Sequence, residues 1–174
     1  MRDYSFLTKK GARTADSGIL KIFISYSTND LEKIKPISKY ISNIQGTKIF
    51  LAEENMKPSS EVIQTIINTI KSADIFLVFF SKDAKESEYV QQEIGVAKGN
   101  NIIIIPILLD SNTPKAMLVS TNYVNLSDKE KEQAELQRLY SFIIDNVNRK
   151  NHNRELVTLG ILAIGVGALL LQEK

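Results

Sequence analysis

Two short apolar stretches decide the fold: residues 74–80, which read DIFLVFF, and residues 102–109, which read IIIIPILL. Each is the length of one strand, and a strand that is apolar on both faces is typical of a parallel sheet covered by helices on both sides. Similar but shorter runs lie at 20–26 (LKIFISY), 47–51 (TKIFL) and 122–126 (NYVNL). These five runs together predict a five-stranded parallel sheet.

Segments with apolar residues at helical spacing separate the runs. They fall at 31–44, around 62–70, at 83–98 and at 128–148. Asp83 and Glu86 have the spacing of a capping box, which predicts that the third helix begins there. Strands that alternate with helices predict a doubly wound, flavodoxin-like α/β fold. In such a fold ligands bind beyond the carboxyl ends of the strands, so function is expected in the loops that follow them.

The composition excludes several kinds of site. The 174 residues are 43% hydrophobic and 24% charged, which is enough apolar material for a real core. The chain has no Cys and one His, which rules out thiolate chemistry and argues against His-cluster metal sites and a Ser-His-Asp triad. No metal site is therefore predicted. The net charge of +2 gives no indication of a nucleic-acid partner.

The two ends of the chain are predicted to lie outside the domain. Residues 1–18 are polar and are predicted to form a flexible arm, followed by the domain over 19–148 and a basic neck over 149–155. Residues 156–171, LVTLGILAIGVGALLL, are apolar on every side, whereas a surface helix has a polar face. As a helix they span about 24 Å, which is short for a membrane span.

This apolar tail has two interpretations. One is a buried terminal helix. The other, which we favour, is a single-pass C-terminal membrane anchor with the domain in the cytoplasm, because basic residues precede the apolar run and positive charge stays on the cytoplasmic side. A cytoplasmic protein without an anchor is the fallback.

A carboxylate and an aromatic ring share one face of the predicted third helix. Tyr89 and Glu93 are four residues apart and therefore lie side by side. Val90, Ile94 and Ala97 mark the buried stripe of that helix, and Glu93 lies about 70° from its centre. Glu93 is thus expected at the edge of the core. Most helix glutamates are simply solvated, so this pair alone is a weak indication of a functional site.

Several segments, in order along the chain, resemble the TIR (Toll/interleukin receptor) domain family. KIFISYSTNDL at 21–31 resembles the family's opening motif, a strand that ends in Ser-Tyr before an acidic helix start. The loop at 52–60, with Pro58, resembles the BB loop of the family. SEYVQQE at 87–93 is similar to the S-x-W-x-x-x-E pattern of NAD-cleaving members, with Tyr89 in place of Trp.

Two further strand ends, FFS at 79–81 and IIPILLD at 104–110, also fit the family. The resemblance covers about residues 20–148 and is closest to microbial members. It implies a NAD glycohydrolase or cyclase with NAD as the substrate, no cofactor, and Glu93 as the catalytic residue. The same resemblance implies substrate contacts from Ser25, Tyr26, Ser27, Pro58, Ser81 and Tyr89.

One carboxylate is chemically sufficient for this reaction. Glycoside hydrolysis normally uses two, one of them to protonate the leaving group. Nicotinamide is cationic while attached and neutral once it leaves, so it needs no acid. One fixed carboxylate such as Glu93 then stabilises the oxocarbenium-like transition state. Whether water or the adenine of NAD attacks, giving hydrolysis or cyclisation, stays open.

Three classes of protein remain as hypotheses. The first is the NAD-cleaving enzyme, and the second is a non-catalytic TIR scaffold that acts through TIR–TIR contacts. The third is a nucleoside deoxyribosyltransferase-like enzyme, which also uses a Glu but lacks the Ser-Tyr opening motif. The resemblance further implies activation by self-association and a role in microbial defence against phage, with another defence protein upstream or downstream.

Overall fold

The computed structural model describes residues 18–52, 59–111 and 123–172, with side chains described as far as residue 152. The predicted arm at 1–18, except Gly18, and the loop that contains Pro58 therefore lie outside the described residues. Five strands form one parallel sheet in the order β2-β1-β3-β4-β5, which is the flavodoxin-like order. The strands are β1 (Leu20–Ser25), β2 (Thr47–Leu51), β3 (Ile75–Phe80), β4 (Ile103–Leu108) and β5 (Val124–Asn125).

Helices cover both faces of this sheet. On one face α1 (Leu31–Ser42) and α5 (Glu132–Gln172) bury their apolar residues against β1 and β3. On the other face the helices are α2 (Ser60–Ser72) and α4 (Glu88–Gly99), with the short α3 (Lys82–Glu86) directly before α4. β3 lies at the centre and is buried along its whole length, because its neighbours and both helix layers exclude water from it. The predicted five-stranded, doubly wound fold is thus confirmed.

The helix predicted from Asp83 to Lys98 is two helices, so this prediction is wrong in its boundaries. Ser81 and not Asp83 is the N-cap of α3, and Ser87 interrupts the helix with extended backbone. The Ser87 hydroxyl then accepts a hydrogen bond from the N–H of Val90 and begins α4. The break turns the chain, so α4 can place Glu93 towards the end of β1.

Helix α5 ties the last part of the domain to the amino ends of the strands. The Lys150 ammonium lies 2.6 Å from Asp74 Oδ2, and the same oxygen accepts a hydrogen bond of 2.8 Å from the N–H of Lys21. Val147 packs against Gly46, which has φ +88 and leaves no room for a side chain. The helix therefore crosses the whole sheet, from the carboxyl edge to the amino edge.

The tail is not a separate helix. Residues 156–171 belong to α5, which continues as one element to Gln172, and their side chains lie outside the described residues. Among the residues that the structure describes, no helix combines the length and the apolar character needed to cross a membrane. The structure gives no support to the predicted membrane anchor, which falls on residues 156–171, outside the described side chains.

Candidate active site at the carboxyl edge of the sheet

Ser25 and Glu93 meet at the end of strand β1. The Ser25 hydroxyl donates a hydrogen bond of 2.5 Å to Glu93 Oε2. Ser25 is fully buried, and Glu93 is only 7% exposed. The side chain of Glu93 lies inward because Val90, Ile94 and Ala97 on the same helix pack into the core and draw that face of α4 with them. The result is a carboxylate held in low-dielectric surroundings at the edge where ligands bind to folds of this kind.

A second buried carboxylate lies at the same edge. Asp30 ends a short 3-10 turn (Thr28–Asp30) after β1 and is 2% exposed. The hydroxyl of Ser81, directly after β3, donates a hydrogen bond of 2.5 Å to Asp30 Oδ2. The exposed ammonium of Lys33 lies 3.1 Å from the other carboxylate oxygen and balances its charge. Two Ser–carboxylate pairs therefore lie at the carboxyl ends of the neighbouring strands β1 and β3.

Asp30 stands at the N-cap position of α1, but its side chain makes no capping hydrogen bond. Its partner Ser81 is 51 residues away, so no local pattern predicts the pair. One signal was available: Asp30 is an acidic residue five positions after the end of a strand, in a loop expected to face the ligand. That signal predicts the position of Asp30 but not its contact.

Tyr89 lies one turn before Glu93 on α4 and is 44% exposed, so its ring is accessible at the surface beside the site. Tyr26 has a different position, because it is buried in the core cluster under α1 and α5. Ser27 is also buried, and its carbonyl accepts a hydrogen bond of 2.8 Å from the N–H of Asp30. Pro58 lies outside the described residues. The structure thus brings Ser25 to Glu93, and Ser81 to Asp30; substrate contacts by any of these residues stay predictions.

The loop that contains Pro58 leaves β2 next to this edge. Ala52 is the last residue described before the loop, and its N–H donates a hydrogen bond of 2.9 Å to the carbonyl of Ile24. Ile24 precedes Ser25, so the loop begins beside the Ser25–Glu93 pair. Across residues 18–52, 59–111 and 123–152, no three acidic or His side chains come together in a group suited to a metal ion.

Fold and site together define a flavodoxin-like α/β domain with buried acidic groups at the carboxyl edge of its sheet. Comparison with protein families gives the particular family: the family model described as TIR domain matches residues 22–140. The chain therefore belongs to the TIR domain family. None of the curated proteins compared with this chain matches it.

Solved structures share the fold at low sequence identity. The TIR domain of a Toll-related receptor from Hydra magnipapillata is 20% identical, with a TM-score of 0.59 over 70% of this chain and 96% of its own. A prokaryotic SEFIR domain is 20% identical, with a TM-score of 0.53 over 71% of this chain and 92% of its own. A CMP N-glycosidase of Clostridium botulinum is 19% identical, with a TM-score of 0.50 over 68% and 97%. These similarities show the fold alone.

Proposed function

We propose that this TIR domain cleaves the bond between nicotinamide and ribose in NAD and releases nicotinamide with ADP-ribose or a cyclic isomer of it. One observation carries the proposal: Glu93 is a buried carboxylate, held by the hydroxyl of Ser25, at the ligand-binding edge of the sheet. A glutamate on a helix surface is normally solvated, and burying a carboxylate is costly unless a function or a strong partner compensates.

The chemistry requires a fixed negative charge. When the C–N bond breaks, its electron pair goes to the pyridine nitrogen, and nicotinamide leaves as a neutral molecule. The ribose that remains has positive charge spread over its anomeric carbon and ring oxygen. A carboxylate stabilises this charge most strongly when it is preorganised and shielded from water. Glu93 meets both conditions, since Ser25 fixes one of its oxygens and burial shields it.

The products differ only in the attacking group. In hydrolysis, the oxygen of water bonds to the anomeric carbon, and a proton is released to solvent. In cyclisation, a nitrogen of the adenine of the same molecule makes that bond. Tyr89 offers an exposed ring one helical turn from Glu93, suited to packing against the nicotinamide or its ribose.

The experiment is the release of nicotinamide from NAD by the full chain, with the products resolved by mass. Glu93→Gln keeps the size of the side chain and removes its charge, so turnover should fall about a hundredfold or more. Glu88→Gln is the matched control, because Glu88 lies on the same helix but is exposed, and its loss should leave turnover unchanged. Full turnover in Glu93→Gln would overturn the proposal.

The proposal extends to regulation and context. TIR domains commonly self-associate, so we propose that assembly switches the activity on and that it serves signalling in microbial defence. Specific activity should then rise with protein concentration in step with the mass measured by sedimentation. A protein that assembles but releases no nicotinamide at any concentration would instead be a non-catalytic TIR scaffold.

A further inference from the structure

We propose that Asp30 is a positioning residue for the Glu93 site: it orders the α3–α4 segment through Ser81 and so fixes the helix that carries Glu93 and Tyr89. This inference rests on the proposed function only where catalysis is measured. Asp30 lies in the segment at 21–31 that resembles the opening motif, apart from the 87–93 pattern that contains Glu93, and its side chain makes no capping hydrogen bond.

The Ser81 hydroxyl takes part in two hydrogen bonds, one as acceptor and one as donor. It accepts a bond of 3.1 Å from the N–H of Ala84, which is the capping bond of α3. Its single proton is donated to Asp30 Oδ2. Because Ser81 is buried, no bulk water replaces that acceptor. The capping geometry of α3 therefore depends on an acceptor at position 30.

Further hydrogen bonds connect α3 to α4. The side-chain amide of Gln91 donates a hydrogen bond of 3.3 Å to the carbonyl of Ala84. Gln91 lies on α4 between Tyr89 and Glu93. At the junction, the N–H of Ser87 donates a bond of 3.0 Å to the carbonyl of Asp83. A continuous set of bonds thus runs from Asp30 through Ser81 and Ala84 to the middle of α4.

A second carboxylate supports the other side of the same turn. Asp110, just beyond β4, accepts a hydrogen bond of 2.9 Å from the N–H of Lys82, the first residue of α3. That bond is exposed, whereas the Asp30–Ser81 bond is buried. Water can replace the acceptor at Lys82 but not the one at Ser81. Asp30 is therefore the more important of the two supports.

Four variants test this assignment in the full chain. Asp30→Ala and Ser81→Ala each break the chain of bonds, and each should lower kcat for nicotinamide release by about tenfold to a hundredfold, because Glu93 is misplaced. In Asp30→Ala, at a residue that is not among the predicted substrate contacts, KM should change little. The double variant should be no slower than the slower single variant, since both changes break the same bond. Asp30→Asn should keep kcat within about threefold of wild type, because its amide oxygen still accepts from Ser81.

Asp74→Asn is the control. Asp74 also accepts two hydrogen bonds, from Lys21 and Lys150, but it lies at the opposite edge of the sheet. Asp74→Asn should lower the free energy of unfolding and leave kcat unchanged. Equal losses of kcat in Asp74→Asn and Asp30→Ala, or a kcat for Asp30→Asn as low as that for Asp30→Ala, would overturn the positioning role through Ser81.

Amide hydrogen exchange tests whether Asp30 orders α3, and this test does not depend on catalysis. In Asp30→Ala the backbone amides of Ala84, Lys85 and Ser87 should exchange at least about tenfold faster than in wild type, while Asp74→Asn leaves them unchanged. Unchanged exchange in Asp30→Ala would overturn the inference even if NAD is cleaved. Faster exchange in a protein that releases no nicotinamide would support the ordering role and refute the proposed function alone.

Discussion

Replacing Ser25 by Ala removes a buried hydroxyl that donates a hydrogen bond to Glu93. The bond is 2.5 Å long, and its donor is fully buried, so water cannot take its place. A hydrogen bond to a charged group contributes about 1.5–3 kcal/mol, and we expect Ser25→Ala to lower the free energy of unfolding by about 2 kcal/mol. For a chain of this size that corresponds to a fall in Tm of about 4–8 °C.

A double-mutant cycle separates this bond from other effects of the substitution. In a Glu93→Ala background the acceptor is gone, so Ser25→Ala should cost about 0.5 kcal/mol or less. The coupling between the two positions is then about 1.5 kcal/mol, measured by urea unfolding of the four proteins. Ser38→Ala is the control: Ser38 is also buried, but its hydroxyl donates to the carbonyl of Lys35 within α1. Its cost should be the same in both backgrounds.

The same cycle can refute the reasoning. If Ser25→Ala costs the same with and without the Glu93 side chain, the hydroxyl does not hold the carboxylate. The function proposed for Glu93 would then lose its main structural support, although not its chemistry.

Two further predictions concern regions away from the site. Gly46→Ala should lower the free energy of unfolding by about 3 kcal/mol, because the new Cβ would lie 2.7 Å from Val147 Cγ1 at a residue with φ +88. Changing Val147 to Ala as well removes that clash and should restore part of the lost free energy. Burial, and then the like charge of the neighbouring Tyr40 when its phenol ionises, raise the pKa of Tyr140 above its ordinary value of 10.0. The stability linked to this shift is present below pH 10.0 and is lost as the pH rises through the pKa of the folded state. Tyr40→Ala should bring the pKa of Tyr140, measured by NMR, back towards 10.0. An unchanged pKa in that variant would contradict the part assigned to Tyr40.

The strands and the edge that carries the site could be predicted from local pattern. Continuous apolar runs mark buried parallel strands, and the described β1, β3 and β4 match theirs within two residues. Glu93 was expected at the edge of the core because its angle to the stripe of Val90, Ile94 and Ala97 depends only on helix geometry. Such features depend on residues a few positions apart, so a single sequence contains them.

Features that depend on distant partners could not be predicted. Ser25 is 68 residues from Glu93 and Ser81 is 51 from Asp30, and nothing in either neighbourhood indicates the other. The split between α3 and α4 was missed for a different reason. Both Ser81 and Ser87 compete with Asp83 as caps, and a break of one residue barely disturbs the helical period of the apolar side chains.

The attachment of α5 to Asp74 has a mechanical consequence. Helix α5 begins near the carboxyl end of β5, where Glu135 accepts a hydrogen bond from the N–H of Asn125, and its last described side-chain contact with the sheet is that of Lys150 with Asp74. A force applied to the helix beyond Lys150 is therefore borne first by Asp74 and by the N–H of Lys21, at the bases of β3 and β1. These two strands lead to Ser81 and Ser25. Tension on the tail thus loads the two strands beneath both buried carboxylates, from the end of the sheet farthest from them.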